Sequence, residues 1–156
     1  MNLRRATIAD SQSLADFNRK MAWETEGIKL KPEVILQGVE NMINTPSMGF
    51  YLVIEVDGEL QASLMITTEW SDWRNGLFWW IQSVYVTPDY RRKGLYRAMY
   101  DKVRELAGNE PNVCGFRLYV ERENIPAQKT YQSLGMEETE YHLYEELKPG
   151  LQFLED

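Results

Sequence analysis

Val86–Leu106 reads VTPDYRRKGLYRAMYDKVREL, and its chemistry changes three times. Val86 closes an apolar, aromatic-rich run that begins at Leu77, and Pro88 stops it because proline cannot donate to a strand ladder. Arg91, Arg92 and Lys93 then stand directly before Gly94. From Leu95 onward, Leu95, Ala98, Met99, Val103 and Leu106 recur at helical spacing, and Gly108 closes the run. The stretch predicts a strand, a turn and a helix. The first turn of a helix presents orphan N–H groups at the positive end of its dipole, so it favours anions. Three cations there oppose helix stability but suit an anionic ligand such as a pyrophosphate, which Gly94 would let the backbone approach closely. On the residues alone a phosphate site, a solvated basic turn and a short nucleic-acid patch all remain open.

On either side of this stretch the pattern is mixed. Leu3–Ala6 predicts a short first strand. Asp10 and Ser11 can cap a helix whose Leu14, Phe17 and Met21 share a face. Residues 23–31 form a break, and Pro32 suits the first turn of a second helix carrying Ile35, Val39, Met42 and Ile43. Phe50, Leu52, Ile54 and Val56 alternate up to Asp57-Gly58, a strong hairpin signal, and Leu60, Ala62, Leu64 and Ile66 alternate on the return. Asn75-Gly76 marks a second hairpin, followed by the strand Leu77–Val86. Beyond the Leu95–Leu106 helix, the sequence predicts a strand at Phe116–Val120, a short helix at Asn124–Leu134 ended by Gly135, and a final strand at Met136–Leu147. The order β-α-α-β-β-β-α-β-α-β is that of a mixed α/β (α+β) domain.

The 156 residues suit one domain, 1–156, with a substantial core. A net charge of −7 disfavours general nucleic-acid binding and mildly favours cationic substrates such as amines. No apolar run is long enough for a membrane span, and no signal peptide is read at the start. One cysteine, Cys114, excludes an intramolecular disulfide and suits the cytoplasm. One histidine, His142, argues against a histidine metal cluster and against a Ser-His-Asp triad.

Val86–Tyr96 resembles the acyl-CoA signature Q/R-x-x-G-x-G/A of the GNAT superfamily of N-acetyltransferases. Arg91 and Gly94 match, and Tyr96 stands where a small residue is usual. Downstream, Asn124, Ala127, Tyr131, Leu134, Gly135 and Met136 resemble the second motif of that family, N-x-x-A-x-x-x-Y-x-x-x-G-F, with Met for Phe. The order of strands and helices agrees over essentially the whole chain. The resemblance implies a mostly antiparallel mixed sheet flanked by helices and splayed between the strand ending at Val86 and the strand near Phe116. It implies acetyl-CoA as cosubstrate, no metal, the pantetheine arm along the backbone of Val84 and Val86, and the pyrophosphate on the amides of Arg92, Lys93, Gly94, Leu95 and Tyr96. Arg91 and Asn124 belong to the same implied cofactor site. The implied partners are acetyl-CoA and an amine acceptor, with no nucleic acid and no membrane; a homodimer is compatible with it.

By the same resemblance Tyr131 protonates the departing sulfur, a role that a phenol protonated at neutral pH can fill. The general base is left open: Gln82 and Ser83 occupy strand positions where polyamine-type relatives carry carboxylates, and neither titrates near neutral pH. Glu24, Glu26, Trp80 and Gln82 are the candidate acceptor-side residues, and Glu69 and Asp72 are further carboxylates near the second hairpin. Trp70, Trp73, Trp79 and Trp80 crowd that hairpin, mostly as packing, with one or two lining an acceptor pocket. Cys114 is read as a small core residue and His142 as a structural member of the last strand. The expected function is N-acetyl transfer to a primary amine of a small molecule or peptide in a ternary complex. The competing expectation is an acyl-CoA-binding module without turnover.

Overall fold

The structure, a computed structural model, describes residues 1–156. Strand β1 (Asn2–Arg5) leads through a 3-10 turn at Ile8–Asp10 into helix α1 (Ser11–Glu26). Helix α2 (Pro32–Ile43) follows, then strands β2 (Gly49–Val56), β3 (Glu59–Ser71) and β4 (Gly76–Val86). Helix α3 (Leu95–Gly108), strand β5 (Val113–Arg117) and helix α4 (Ile125–Ser133) complete the regular elements. The five strands lie side by side in chain order, β1 to β4 antiparallel and β5 parallel to β4. No helix is long and apolar enough to cross a membrane.

Each face of the sheet carries its own core because strand side chains alternate between faces. On one face Leu52, Ile54, Leu64, Ile66, Trp79 and Ile81 meet Leu95, Met99 and Val103 of α3, the stripe expected from its sequence. On the other, Tyr51 and Val53 meet Leu14 and Ala15 of α1 and Val39 and Met42 of α2. Burying a side chain of this size contributes roughly 1.5–3 kcal/mol, so both helix layers are fixed mainly by packing.

The first hairpin turn falls at Asp57-Gly58 as the sequence puts it, whereas the second is made by residues 72–75, with Gly76 already paired to Ser71 as the first residue of β4 rather than at the apex. Asp57 and Gly58 both take positive φ (52° and 81°), the requirement of a two-residue turn that follows strand twist. Helix α1 runs further than expected, to Glu26, and stops where Gly27 turns left-handed at φ 66°.

Two expectations about strands need correction. The strand expected at Phe116–Val120 is found at Val113–Arg117, because pairing with β4 starts at Leu77–Val113 and stops at Trp80–Arg117. The final strand expected at Met136–Leu147 is not formed. Residues 137–156 are exposed and carry only an isolated bridge between Leu30 and Leu154. Period-two alternation marks which side chains would share a face, but a strand also needs a neighbour to bond to. With that segment unpaired, His142 is exposed rather than structural. Cys114 is likewise exposed rather than a core residue.

The N-terminal corner is held by charge. Asp10 is buried and accepts from Arg4 at 2.8 and 3.0 Å and from the Thr7 N–H at 2.7 Å, while Arg4 also reaches Glu55 at 3.0 Å. One guanidinium thus joins β1, the start of α1 and β2. The Arg4 hydrogen bonds, helped by the Thr7 N–H, hold the Asp10 carboxyl below its usual pKa. A depressed carboxyl stabilises the fold above its unfolded pKa of about 3.9 and loses that contribution as pH falls through its folded value. Asp10→Asn is expected to cost about 1–3 kcal/mol in urea unfolding at pH 7. The difference from the parent chain should shrink as the pH is taken below about 4. An equal difference at pH 7 and pH 3 would show that the charge of Asp10 contributes nothing.

Candidate active site

The site begins where two strands part. β4 and β5 are paired only from Leu77–Val113 to Trp80–Arg117. Beyond that point β4 continues to Val86, bonded to β3 on one side and to no strand on the other. Its N–H and C=O groups on the open side are available to an extended ligand, as at any unpaired sheet edge. Val84 and Val86, the expected backbone contacts, lie on this free length.

A bulge reorients the same segment. Ser83 takes φ 51°, rare for a residue other than glycine, and the β3 register slips between Ser63 and Met65. Before the bulge Trp79 and Ile81 face α3; after it Val84 and Val86 do, so the alternation has moved by one residue. Tyr85 consequently turns to the α1 face, where its ring lies 5.0 Å from Phe17. Strict alternation along WWIQSVYV would have put Tyr85 against α3. No residue in the sequence announces this bulge, since neither glycine nor proline sits at it.

The turn after β4 supplies the second part. Arg92 and Gly94 both take positive φ, 62° and 81°. Left-handed residues placed among right-handed ones aim successive N–H groups to one side, an anion-binding nest. Gly94 is the N-cap of α3, and no side chain caps the helix. The first intrahelical bond runs from the Ala98 N–H to the Gly94 carbonyl at 3.0 Å, which leaves the N–H groups of Leu95, Tyr96 and Arg97 without helical partners. A Cβ built on Gly94 would meet no atom within 4 Å, so the space beside it is open. Arg92 and Lys93 are exposed at its rim. A diphosphate fits these features: unpaired donors, a helix dipole and free cations around an open cradle.

The expected cofactor residues divide by the part they present. Leu95 is buried in the core, and the Tyr96 ring turns inward beside Tyr100, centroids 6.2 Å apart. Both therefore offer backbone only, and the large residue at position 96 leaves the cradle clear. Arg91 differs from expectation: its guanidinium donates back to the Val86 carbonyl at 2.9 Å and to Glu24 at 2.6 Å. The side chain of Asn124 is also engaged, accepting from the Ala127 N–H at 3.3 Å as the N-cap of α4.

Tyr131 stands on α4, half-buried, with its ring edge-on to Tyr96 at 5.7 Å. That contact brings α4 to the first turn of α3, so the phenol and the cradle share one end of the cleft. Burial pushes the pKa of Tyr131 above its ordinary value and keeps it protonated at neutral pH. The Tyr96 hydroxyl is buried without a hydrogen-bond partner, and burial pushes its pKa up as well.

Of the residues expected to meet an acceptor, Glu24 accepts from Tyr85 at 3.0 Å and from Arg91 at 2.6 Å, tying the end of α1 to β4 and the basic turn. Desolvation, then the hydrogen bond to Glu24, raises the pKa of Tyr85. This clasp had no sequence signal, because its members lie far apart in the chain. Glu26 is exposed near the end of α1. Trp80 and Gln82 are partly buried, Trp80 with its ring 6.0 Å from Tyr119 where β4 and β5 separate. Glu69 pairs with Arg117 at 2.6 Å, and Asp72 accepts from the Trp73 N–H within its turn. Trp70 and Trp73 are exposed rather than packed, and Trp79 alone of the hairpin tryptophans is buried. No group of three or more His, Cys, Asp or Glu residues is arranged to hold a metal ion.

Comparison with known proteins identifies the family and the fold. The model of the acetyltransferase (GNAT) family matches residues 12–136. A solved structure of a possible acetyltransferase from Clostridium difficile 630 is 43% identical, with a TM-score of 0.87, over 94% of this chain and 97% of that one. A predicted acetyltransferase from Clostridium acetobutylicum, solved with acetyl-CoA, is 19% identical with a TM-score of 0.76, over 93% of this chain and 95% of that one. Glucosamine-6-phosphate N-acetyltransferase from Arabidopsis thaliana is 18% identical with a TM-score of 0.73, over 94% of this chain and 98% of that one. No curated protein matches the sequence. A family model spanning residues 12–136, over a sheet that opens beside a basic helix N-terminus, places this chain in the GNAT family of acetyltransferases.

Proposed function

We propose that the chain is an N-acetyltransferase, one domain over residues 1–156, working in the cytoplasm. It moves an acetyl group from acetyl-CoA to a primary amine of a small molecule or peptide by direct attack in a ternary complex. The observation that carries this reading is the free β4 edge after Trp80, running directly into the uncapped N-terminus of α3. An extended arm can bond to that edge while its phosphates end at the cradle.

In this reading the backbone of Val84 and Val86 holds the pantetheine arm. The amides of Arg92 to Tyr96 hold the pyrophosphate, and Arg92 and Lys93 supply the free positive charge. Arg91 and Asn124 act indirectly: the first fixes the turn through Val86 and Glu24, and the second starts the helix that carries Tyr131. The acceptor approaches from the α1 side, past Glu24, Glu26, Trp80 and Gln82. Its neutral amine forms the new C–N bond at the thioester carbon, and the C–S bond breaks. Tyr131 delivers its phenolic proton to the departing sulfur and recovers one from solvent. The proton lost by the amine passes to water, because Gln82 and Ser83 are not bases at neutral pH and Glu24 is already engaged by Tyr85 and Arg91.

That engagement favours one second reading, an acyl-CoA-binding module without turnover. Coenzyme A release measured over a panel of amines separates the two: release with some amine supports the enzyme, and binding without release with any amine supports the module.

Two outcomes follow from the residue roles. Coenzyme A should raise the melting temperature, since a ligand selective for the folded state stabilises it. Arg92→Glu should remove most of that shift, while dephospho-coenzyme A should retain much of it with the parent protein. An undiminished shift in Arg92→Glu would place the phosphates elsewhere. Tyr131→Phe keeps the ring against Tyr96 and removes only the hydroxyl. It should lower the single-turnover rate toward the lower end of the roughly 10²–10⁴-fold range for loss of a general acid, because a thiolate leaves fairly well unaided. The acetyl-CoA dissociation constant should stay nearly unchanged, as the interaction belongs to the transition state. A wild-type chemical rate in Tyr131→Phe would make this residue a packing group.

A further inference from the structure

Tyr96 is unusual in two independent ways. It stands in the acyl-CoA signature where a small residue is usual, and its hydroxyl is buried with no hydrogen-bond partner. Buried polar groups nearly always find a partner, and a bare hydroxyl costs stability that a phenylalanine ring would not. Such a group persists at a site of chemistry when its partner appears only during the reaction. The surroundings narrow that partner. The hydroxyl is sealed from solvent, so the partner is a protein group beside it. The Tyr96 ring lies between Tyr100, with centroids 6.2 Å apart and planes at 28°, and Tyr131, edge-on at 5.7 Å.

Tyr131 has the opposite need. Burial alone moves its pKa, and moves it upward; no cation and no hydrogen bond offsets the shift. Burial therefore keeps the proton on at neutral pH but makes the phenolate left after proton transfer costly. A good general acid lies nearer the working pH, so the phenolate needs a donor as it forms. Tyr96 keeps its own proton in that state: after burial, charge on Tyr131 is the next cause that pushes its pKa up. It remains a donor when Tyr131 becomes an acceptor.

We propose that Tyr96 is a positioning residue for Tyr131: its hydroxyl donates a hydrogen bond to the Tyr131 oxygen as that oxygen gives its proton to the departing sulfur. The proposal rests on the acid role of Tyr131. As the new C–N bond forms and the C–S bond breaks, the electron pair left on sulfur takes the Tyr131 proton. Negative charge then stays on the Tyr131 oxygen, and the Tyr96 proton is shared with it but not transferred. Tyr131 recovers its proton from solvent, and the bond lapses. A neutral phenol is a modest acceptor and a phenolate a strong one, so the bond forms when charge develops. Ring edges already in contact let side-chain rotation alone bring the two oxygens together. The size of residue 96 also has a reason here. Glycine or alanine would offer the same backbone N–H to a phosphate but no hydroxyl to Tyr131.

The test sets activity against stability. Single-turnover rates are measured with acetyl-CoA and the amine that releases coenzyme A fastest. Tyr96→Phe should lower the rate by roughly 10–100-fold, the worth of a hydrogen bond to a charged group. Its acetyl-CoA dissociation constant should be unchanged by calorimetry, and its urea midpoint equal to the parent's or higher, because a bare hydroxyl has gone. The double variant Tyr96→Phe with Tyr131→Phe should be no slower than Tyr131→Phe alone, since one residue acts through the other. Tyr100→Phe, which removes the neighbouring hydroxyl of α3, should react at the parent rate. A parent rate in Tyr96→Phe overturns the proposal. So does a loss that comes with weaker acetyl-CoA binding or a lower urea midpoint, one that multiplies in the double variant, or one that Tyr100→Phe reproduces. If Tyr131→Phe reacts at the parent rate, or no amine releases coenzyme A, the acid reading falls and this one with it. A slow Tyr131→Phe beside a normal Tyr96→Phe overturns this inference alone.

Discussion

Everything distinctive about this molecule depends on the parting of β4 from β5 after Trp80 and Arg117. A parallel strand pair is stabilised along its length by bonds between its members, and here that ladder ends while β4 still has six residues to run. The exposed backbone is a liability for a lone protein and an opportunity for a ligand with amide groups spaced like a peptide. β4 keeps its shape without its second neighbour because β3 pairs along it on the other side and α3 packs over Val84 and Val86.

The bulge at Ser83 lies on the length of β4 that runs free of β5, and the clasp at Glu24 bonds to that length. The bulge moves the alternation by one residue, which sends Tyr85 toward α1 and brings Val84 and Val86 over α3. Tyr85 then meets Glu24, and Glu24 meets Arg91, so the last turn of α1 is linked to the turn that opens α3. An exposed ion pair alone contributes little, typically below about 1 kcal/mol. Here the carboxylate also accepts from a phenol, and the guanidinium also donates to a main-chain carbonyl, so the geometry is fixed from several directions. The end of α1 and the turn that opens α3 are therefore mechanically joined.

Much of this was legible along the chain. The helical stripe from Leu95 to Leu106, the hairpin at Asp57-Gly58 and the basic turn before Gly94 are local patterns, and each formed as its residues required. The misplacement of Arg91, Arg92 and Lys93 at a helix start pointed to an anion site. The structure adds that only Arg92 and Lys93 keep their charge free of an ion-pair partner. The tryptophans of the second hairpin were less legible. Trp70 and Trp73 carry the apolar surface of core residues, but the first sits near the end of β3 and the second in the turn after it, and both are exposed.

By itself the sequence determined the elements as far as α4, their order, the two helix faces and the family signature, because these depend on neighbours three, four or two residues away. Tertiary structure alone decided where β4 and β5 part, that Tyr96 lies between the cradle and Tyr131, and that Glu24 holds Arg91. Those facts join residues far apart in the chain, and local periodicity carries no information about such distances. The segment after Met136 shows the boundary most clearly. Its alternation prescribes which side chains would share a face, but a strand exists only when another backbone lies within hydrogen-bonding reach. Residues 137–152 have no such backbone partner.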